Sequence, residues 1–334
     1  MKKTLISLLI VSLIVLSGCT SGGGEKKTYT VKLHHAQLET TAMHKGAVKF
    51  KELVEANSDG QITITIYPNA QLGNDTEAAE LIQTGSVTAG IIPTAKLSGF
   101  YAPVQVIDLP FLFPNRDALY GTLDDEEFKS SIFDGMEDSG FKGINFWESG
   151  FKQFTADRLI EKPADFVGTK FRTMESPLLI AQFNALGANP IPIDFAETYN
   201  ALQQKVVNGQ ENPVVSIKNM KFYEVQSNMI ISNHGYLGYA LLFGLDFWNE
   251  LPADLQEVVA EAAQEAVEYE RQLSIDSEAS MIAEIEASGT TVTYLTEAQV
   301  AVFAEAMKPV HEQFRGVLGS DLLDLTYELI EANK

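Results

Sequence analysis

Apolar and polar positions alternate most cleanly in GQITITIYP, where Ile62, Ile64 and Ile66 share one face and Thr63, Thr65 and Tyr67 the other. A period of two is that of a half-buried strand, and Gly60 and Pro68 punctuate its ends. TVKLHH, residues 30–35, reads as an earlier strand and VTAGIIP as a later, fully buried one. Between them the period changes. Over 42–56, Ala47, Phe50, Leu53 and Val54 fall on one face of a helix, and 74–84 is a second helix with an Asn/Asp start suited to capping. This alternation predicts parallel sheet with crossover helices. INFWESG opens a further strand, and ESPLLIAQFNALGANPIPI and AETYNALQQKVVNG resume the alternation. From Ala253 to Ala287 there is no Gly or Pro, and Leu255, Val258, Val259, Ala262, Ala266 and Val267 form an apolar stripe at helical spacing. One helix of that length runs about 50 Å at 1.5 Å per residue, enough to brace two domains. GTTVTYL adds a strand, and two helices are expected over 297–331.

The first nineteen residues read differently. Lys2 and Lys3 precede a twelve-residue apolar run from Leu5 to Leu16, too short to span a bilayer but suited to a signal-peptide core. Leu16-Ser17-Gly18-Cys19 follows and resembles the lipobox of bacterial lipoproteins, which would make Cys19 the lipidated first residue of the mature protein. TSGGGEKK, residues 20–27, is then a flexible polar tether. Cys19 is the chain's one cysteine, so an internal disulfide, a thiolate metal site and a cysteine nucleophile are excluded. The reading calls for no metal and no cofactor.

About 310 residues remain, a length for two domains. The formal charge is −21, and without Lys2 and Lys3 there are 22 basic against 45 acidic residues. That argues against nucleic acid and against electrostatic docking on anionic lipid. It leaves room for a small anion, because surface charge is screened beyond roughly 8 Å at physiological salt. Within this acidic chain, GTKFRTM places Lys170 and Arg172 on one face of a short strand. An inward Arg needs an anionic partner, either a protein carboxylate or a ligand. G-x-S-x-G, H-E-x-x-H, C-x-x-C, G-x-x-x-x-G-K and G-x-G-x-x-G are all absent from the sequence, and no enzyme activity is expected.

Longer stretches carry a resemblance. IYPNAQLGND, VIDLPFLF, VGTKFRTM, KFYEVQ and above all IPIDFAETYNALQQKVVNGQENP are similar to segments of solute-binding proteins of TRAP (tripartite ATP-independent periplasmic) transporters, the DctP family. WESGFKQFTADR and NHGYLGYALLFGLDFW resemble its C4-dicarboxylate-binding subgroup. Asn208 departs from the usual Asp, at an expected turn. The resemblance implies two α/β domains of periplasmic-binding-protein type around a cleft, with hinge strands and a long bracing helix. The expected division is 28–149 plus 238–277 for domain I and 150–237 plus 278–334 for domain II.

It also implies a ligand set. Arg172 matches the family's carboxylate clamp, and a guanidinium fork suits a carboxylate. Lys152 would hold the second carboxylate of a diacid, Asn212 would contribute its amide and Phe195 would floor the pocket. His35 and Thr94 from the first domain, and Tyr236 in NHGYLGY, are candidate donors, with packing roles as their alternatives. Lys170 is expected to snorkel to solvent. Glu211, His34, His44, His234 and His311 are read as structural. The implied function is capture of succinate, malate or fumarate by domain closure, and delivery to the small and large membrane subunits of a TRAP permease. The protein would work outside the cytoplasm, lipid-anchored on a Gram-positive surface or facing a periplasm. The alternatives are another carboxylate (a monocarboxylate, keto acid or sugar acid) or a ligand sensor for a signalling receptor.

Overall fold

A computed structural model describes residues 27–334. The apolar leader, Cys19 and all but the last residue of the tether lie outside the described residues. Among the described residues nine strands form one sheet: β1 (Tyr29–His34), β2 (Ile62–Tyr67), β3 (Ala89–Pro93), β4 (Phe141–Ala156), β5 (Lys170–Thr173), β6 (Asn189–Pro192), β7 (Gly209–Pro213), β8 (Asn228–Gly244) and β9 (Thr291–Tyr294). Their order is β2-β1-β3-β8-β4-β7-β5-β6, with β9 on β8. The pairs β1–β2, β1–β3, β5–β6 and β5–β7 are parallel, as strand–helix alternation predicts. The sheet as a whole is mixed, because β8 runs antiparallel to β3 and to β4, and β4 antiparallel to β7.

That mixture makes two lobes. β2-β1-β3 and β6-β5-β7 are like arrangements, one at each end of the sheet. Between them β4 and β8 pair along their whole length. The start of β4 and the end of β8 join the first lobe; the end of β4 and the start of β8 join the second. The pairing is interrupted by register shifts at Gly143/Asn145, Glu148/Gly150 and Lys152/Phe154. Bulges bend and twist a strand locally, and the middle one lies where the chain passes between lobes. Gly150 there has φ +115°, open to glycine but strained for any L side chain. An added Cβ would meet Pro213 Cβ at 3.6 Å, an ordinary contact. Gly150→Ala is therefore expected to cost about 1–3 kcal/mol through backbone strain alone. Thermal unfolding reads this as a lower midpoint, and an unchanged midpoint would contradict it.

The helix Ala253–Ala287 spans all 35 residues of the uninterrupted stretch. Leu255, Val259, Ala262, Ala263, Ala266 and Val267 bury its first half against the first lobe, in one cluster with Phe50 and Trp147. Ile285, near its end, belongs to a second-lobe cluster with Leu202 and Ile217. The helix thus touches both lobes. Beyond β9 there are three helices where two were expected: Glu297–Met307, Pro309–Leu318 and Ser320–Ala332. Pro309 cannot donate a backbone bond into a continuing helix, and Gly319, at φ +94°, turns the chain before the last one. Val310, Phe314 and Leu323 on the last two helices pack into the first-lobe core with Leu119 and Phe128. The same cluster also takes in Leu178 and Leu179, between β5 and β6.

Candidate functional site

The carboxyl ends of β1 and β3 face those of β5 and β7, the usual ligand position in open α/β sheets. The lobes touch across this cleft. Lys96, just after β3, places Nζ 3.4 Å from Asp194 Oδ1, and Thr40 donates to Asn219 Oδ1 at 3.1 Å. Between them is a cavity of about 330 Å³, with Leu38 and Lys96 on one side and Phe195, Ala196 and Met220 on the other. Phe195 is half-buried and lines this cavity.

Arg172 sits on β5 beside Gln210 and Ile191 and is 1% exposed. Its Nε donates to the Ile193 carbonyl at 2.8 Å, which fixes the plane of the guanidinium. Nη2 is buried without a partner. Among the described residues, no carboxylate lies within 4 Å of this guanidinium. Burial lowers its pKa to about 10, against the pull of Glu211, Asp194 and Tyr239, so it stays charged at neutral pH. A buried cation with an idle donor is costly unless an anion completes it. Lys170, two residues earlier, is exposed, and its backbone N–H donates to Asn208 Oδ1 at 2.9 Å. The departure to Asn at 208 is accommodated there, with Nδ2 donating to Asp157 at 3.1 Å.

Lys152 has a protein partner. Its Nζ is 2.9 Å from Glu211 Oε1, and both side chains are almost fully buried. Glu211 Oε2 also accepts from Gln182 Nε2 at 2.8 Å and lies 2.7 Å from His234 Nε2. His234 stacks on Phe154 with centroids 3.6 Å apart. Burial alone would raise the Glu211 pKa, but Lys152 and His234 outweigh it and hold the carboxylate below its usual range. Burial lowers the His234 pKa and keeps its ring neutral. The assembly amounts to one cation matched by one anion, and Lys152 keeps two further ammonium donors.

The first-lobe candidates are engaged locally. Thr94 is fully buried and donates to Asp108 Oδ2 at 3.0 Å. Asp108 Oδ1 has no partner, and burial pushes this carboxyl up to about 7, against the nearby Lys152. His35 Nδ1 accepts from the Gln37 N–H at 3.2 Å, so Nε2 carries the proton toward His44 Nδ1 at 3.1 Å. Burial, reinforced by His44 and His34, lowers its pKa to about 3. His35 is thus held neutral. Tyr236 packs between Phe113 and Phe151, its hydroxyl 3.4 Å from the Trp147 carbonyl. This is the packing alternative. Tyr239, three residues on, accepts from Gln37 Nε2 at 2.7 Å and interacts with Arg172. Asn212 Nδ2 donates to Gln210 Oε1, and Gln210 to Thr155, in a buried polar row on β7 and β4. Lys96, Asp108, Gln182, Gln37 and Tyr239 were not singled out from the sequence.

The neutral His35 gives stability a pH dependence. The unfolded chain protonates this group below about pH 6.5, the folded chain only near 3. Stability therefore falls as pH drops from 6.5 toward 3, by up to about 1.4 kcal/mol per pH unit. His234 adds in the same direction. His35→Gln should flatten the fall in unfolding midpoint between pH 7 and 4.5; an unchanged slope would contradict a neutral His35.

The family model described as bacterial extracellular solute-binding protein, family 7 (DctP), matches residues 33–316. The chain belongs to this family. As a family 7 solute-binding protein it is a transport component and not an enzyme. The C4-dicarboxylate-binding periplasmic protein DctP of Rhodobacter capsulatus is 35% identical to it over 295 residues, 88% of each chain. A TRAP periplasmic solute-binding protein of Sulfurospirillum deleyianum, solved with bound succinate, superimposes with TM-score 0.83 at 36% identity. That match covers 92% of this solute-binding protein and all of the other chain. One from Desulfovibrio salexigens, with bound orotic acid, gives TM-score 0.89 at 31% identity, covering 92% and 100%. These two-domain binding proteins share the fold described above.

Proposed function

We propose that this family 7 protein captures a C4-dicarboxylate such as succinate, malate or fumarate between its lobes and delivers it to a TRAP permease of small and large membrane subunits. The observation that carries this reading is Arg172: a buried, charged guanidinium on β5 whose Nη2 has no partner and which, among the described residues, has no carboxylate within 4 Å. Asn212 on β7 and Lys152 on β4 would add amide and ammonium donors. The hinge strands β4 and β8 would absorb the closing rotation. Cys19 would tether the protein by lipid outside the cytoplasm. The names of the Rhodobacter and Sulfurospirillum relatives support the ligand class. The Desulfovibrio relative, holding a cyclic monoacid, favours a second reading in which the ligand is another carboxylate.

A thermal-shift panel tests the ligand class, using the chain from residue 20 with succinate, malate, fumarate, orotate, monoacids and sugar acids. A ligand at 100 times its dissociation constant adds about 2.7 kcal/mol. Stabilisation by the four-carbon diacids is expected. Stabilisation by a monoacid or sugar acid alone would replace the diacid with the second reading.

A further inference from the structure

A dianion between the lobes needs two unmatched positive charges, and the second lobe supplies one. Arg172 is unmatched, whereas Lys152 is already balanced by Glu211 at 2.9 Å. Among the described residues, a further buried cation at the cleft comes from the first lobe. Lys96 follows β3 directly, is 7% exposed and lines the 330 Å³ cavity opposite Phe195. Its partners are poor for a buried ammonium. Asp194 Oδ1 is 3.4 Å away on a side chain 43% exposed, and Glu175 Oε2 is 3.9 Å away on one 75% exposed. Both carboxylates are well hydrated, so water competes for them and the pairs are weak. A ligand carboxylate enclosed by the lobes would be shorter-range and drier. Lys96 and Arg172 also flank the same short segment: Arg172 bonds the Ile193 carbonyl and Lys96 approaches the Asp194 side chain. Two cations from opposite lobes thus border one stretch of chain.

We propose that Lys96 is the specificity-determining residue for the second carboxylate, exchanging Asp194 and Glu175 for the distal end of a diacid whose proximal end is held by Arg172. The assignment rests on the dicarboxylate reading above. It gives each lobe one end of the ligand, so a diacid bridges the cleft and a monoacid does not. An ammonium is tolerant of geometry, which suits flexible diacids of slightly different length.

The test compares succinate with succinamate, of the same shape but with a neutral distal amide, by calorimetry. In Lys96→Gln, succinate affinity is expected to fall about 30-fold or more, with succinamate changed less than about threefold. Lys96→Arg keeps the charge and should keep the preference. Asp194→Asn removes the competing carboxylate and should leave succinate binding equal or tighter. Equal losses for both ligands in Lys96→Gln, or weaker succinate binding in Asp194→Asn, would mean that the Lys96–Asp194 pair only latches the lobes, and would overturn the assignment. Unchanged succinate affinity in Lys96→Gln would overturn it too, leaving the diacid reading intact. A wild-type protein that binds no diacid overturns both.

Discussion

Arg172→Ala should weaken binding of the cognate acid by more than about 2 kcal/mol, at least about 30-fold in Kd. Truncation removes a buried cation that, among the described residues, no carboxylate matches, so the ligand's charge would enter a desolvated site unpaired. Stability should move the other way or little. Without ligand, the guanidinium is a buried charge satisfied at Nε alone, and its loss removes a desolvation cost together with one bond to Ile193. Arg172→Lys should restore only part of the affinity, because an ammonium cannot reproduce the planar fork. Calorimetry and unliganded unfolding together separate these effects. Near-native affinity in Arg172→Ala would remove the clamp; a large drop in unliganded stability would make Arg172 a structural residue.

Glu211→Gln should have the largest effect on the fold, about 3–5 kcal/mol. The change is nearly isosteric but leaves Lys152 charged, buried and unmatched, and weakens the bonds from His234 and Gln182. The expected fall in unfolding midpoint is on the order of 10 °C. The double variant Lys152→Met with Glu211→Gln should recover much of that, because it removes the orphaned charge as well. A double-mutant cycle measures the coupling directly. Additive losses would show that Lys152 and Glu211 do not act as a pair.

The elements were largely legible in the sequence because period and punctuation report them locally. The long helix was bounded to within one residue by Pro252 and Gly289. ITITIY declared itself by alternation. Strand parity placed Lys170 and Arg172 on one face, but Lys170 is exposed and Arg172 buried, so parity alone did not single out Arg172; the family resemblance did. What failed were contacts made by the fold. Tyr236 and Tyr239 stand three apart on one strand, so they point to opposite faces, and nothing in NHGYLGY says which face meets the site. Lys152 and Glu211 are 59 residues apart and meet only because β4 and β7 pair antiparallel. Lys96 gave no signal in IIPTAKL, since its burial depends on the opposite lobe. The packing of the last helices was illegible for the same reason: amphipathic faces show that a helix packs, not where.

The most direct measurement is a crystal structure of the protein, from residue 20 onward, grown with succinate. The account predicts closed lobes with one carboxylate within hydrogen-bond distance of Arg172 Nη2 and Lys152 still paired with Glu211. Succinate bound away from Arg172, or an Arg172 paired with a protein carboxylate beside an empty cleft, would contradict it.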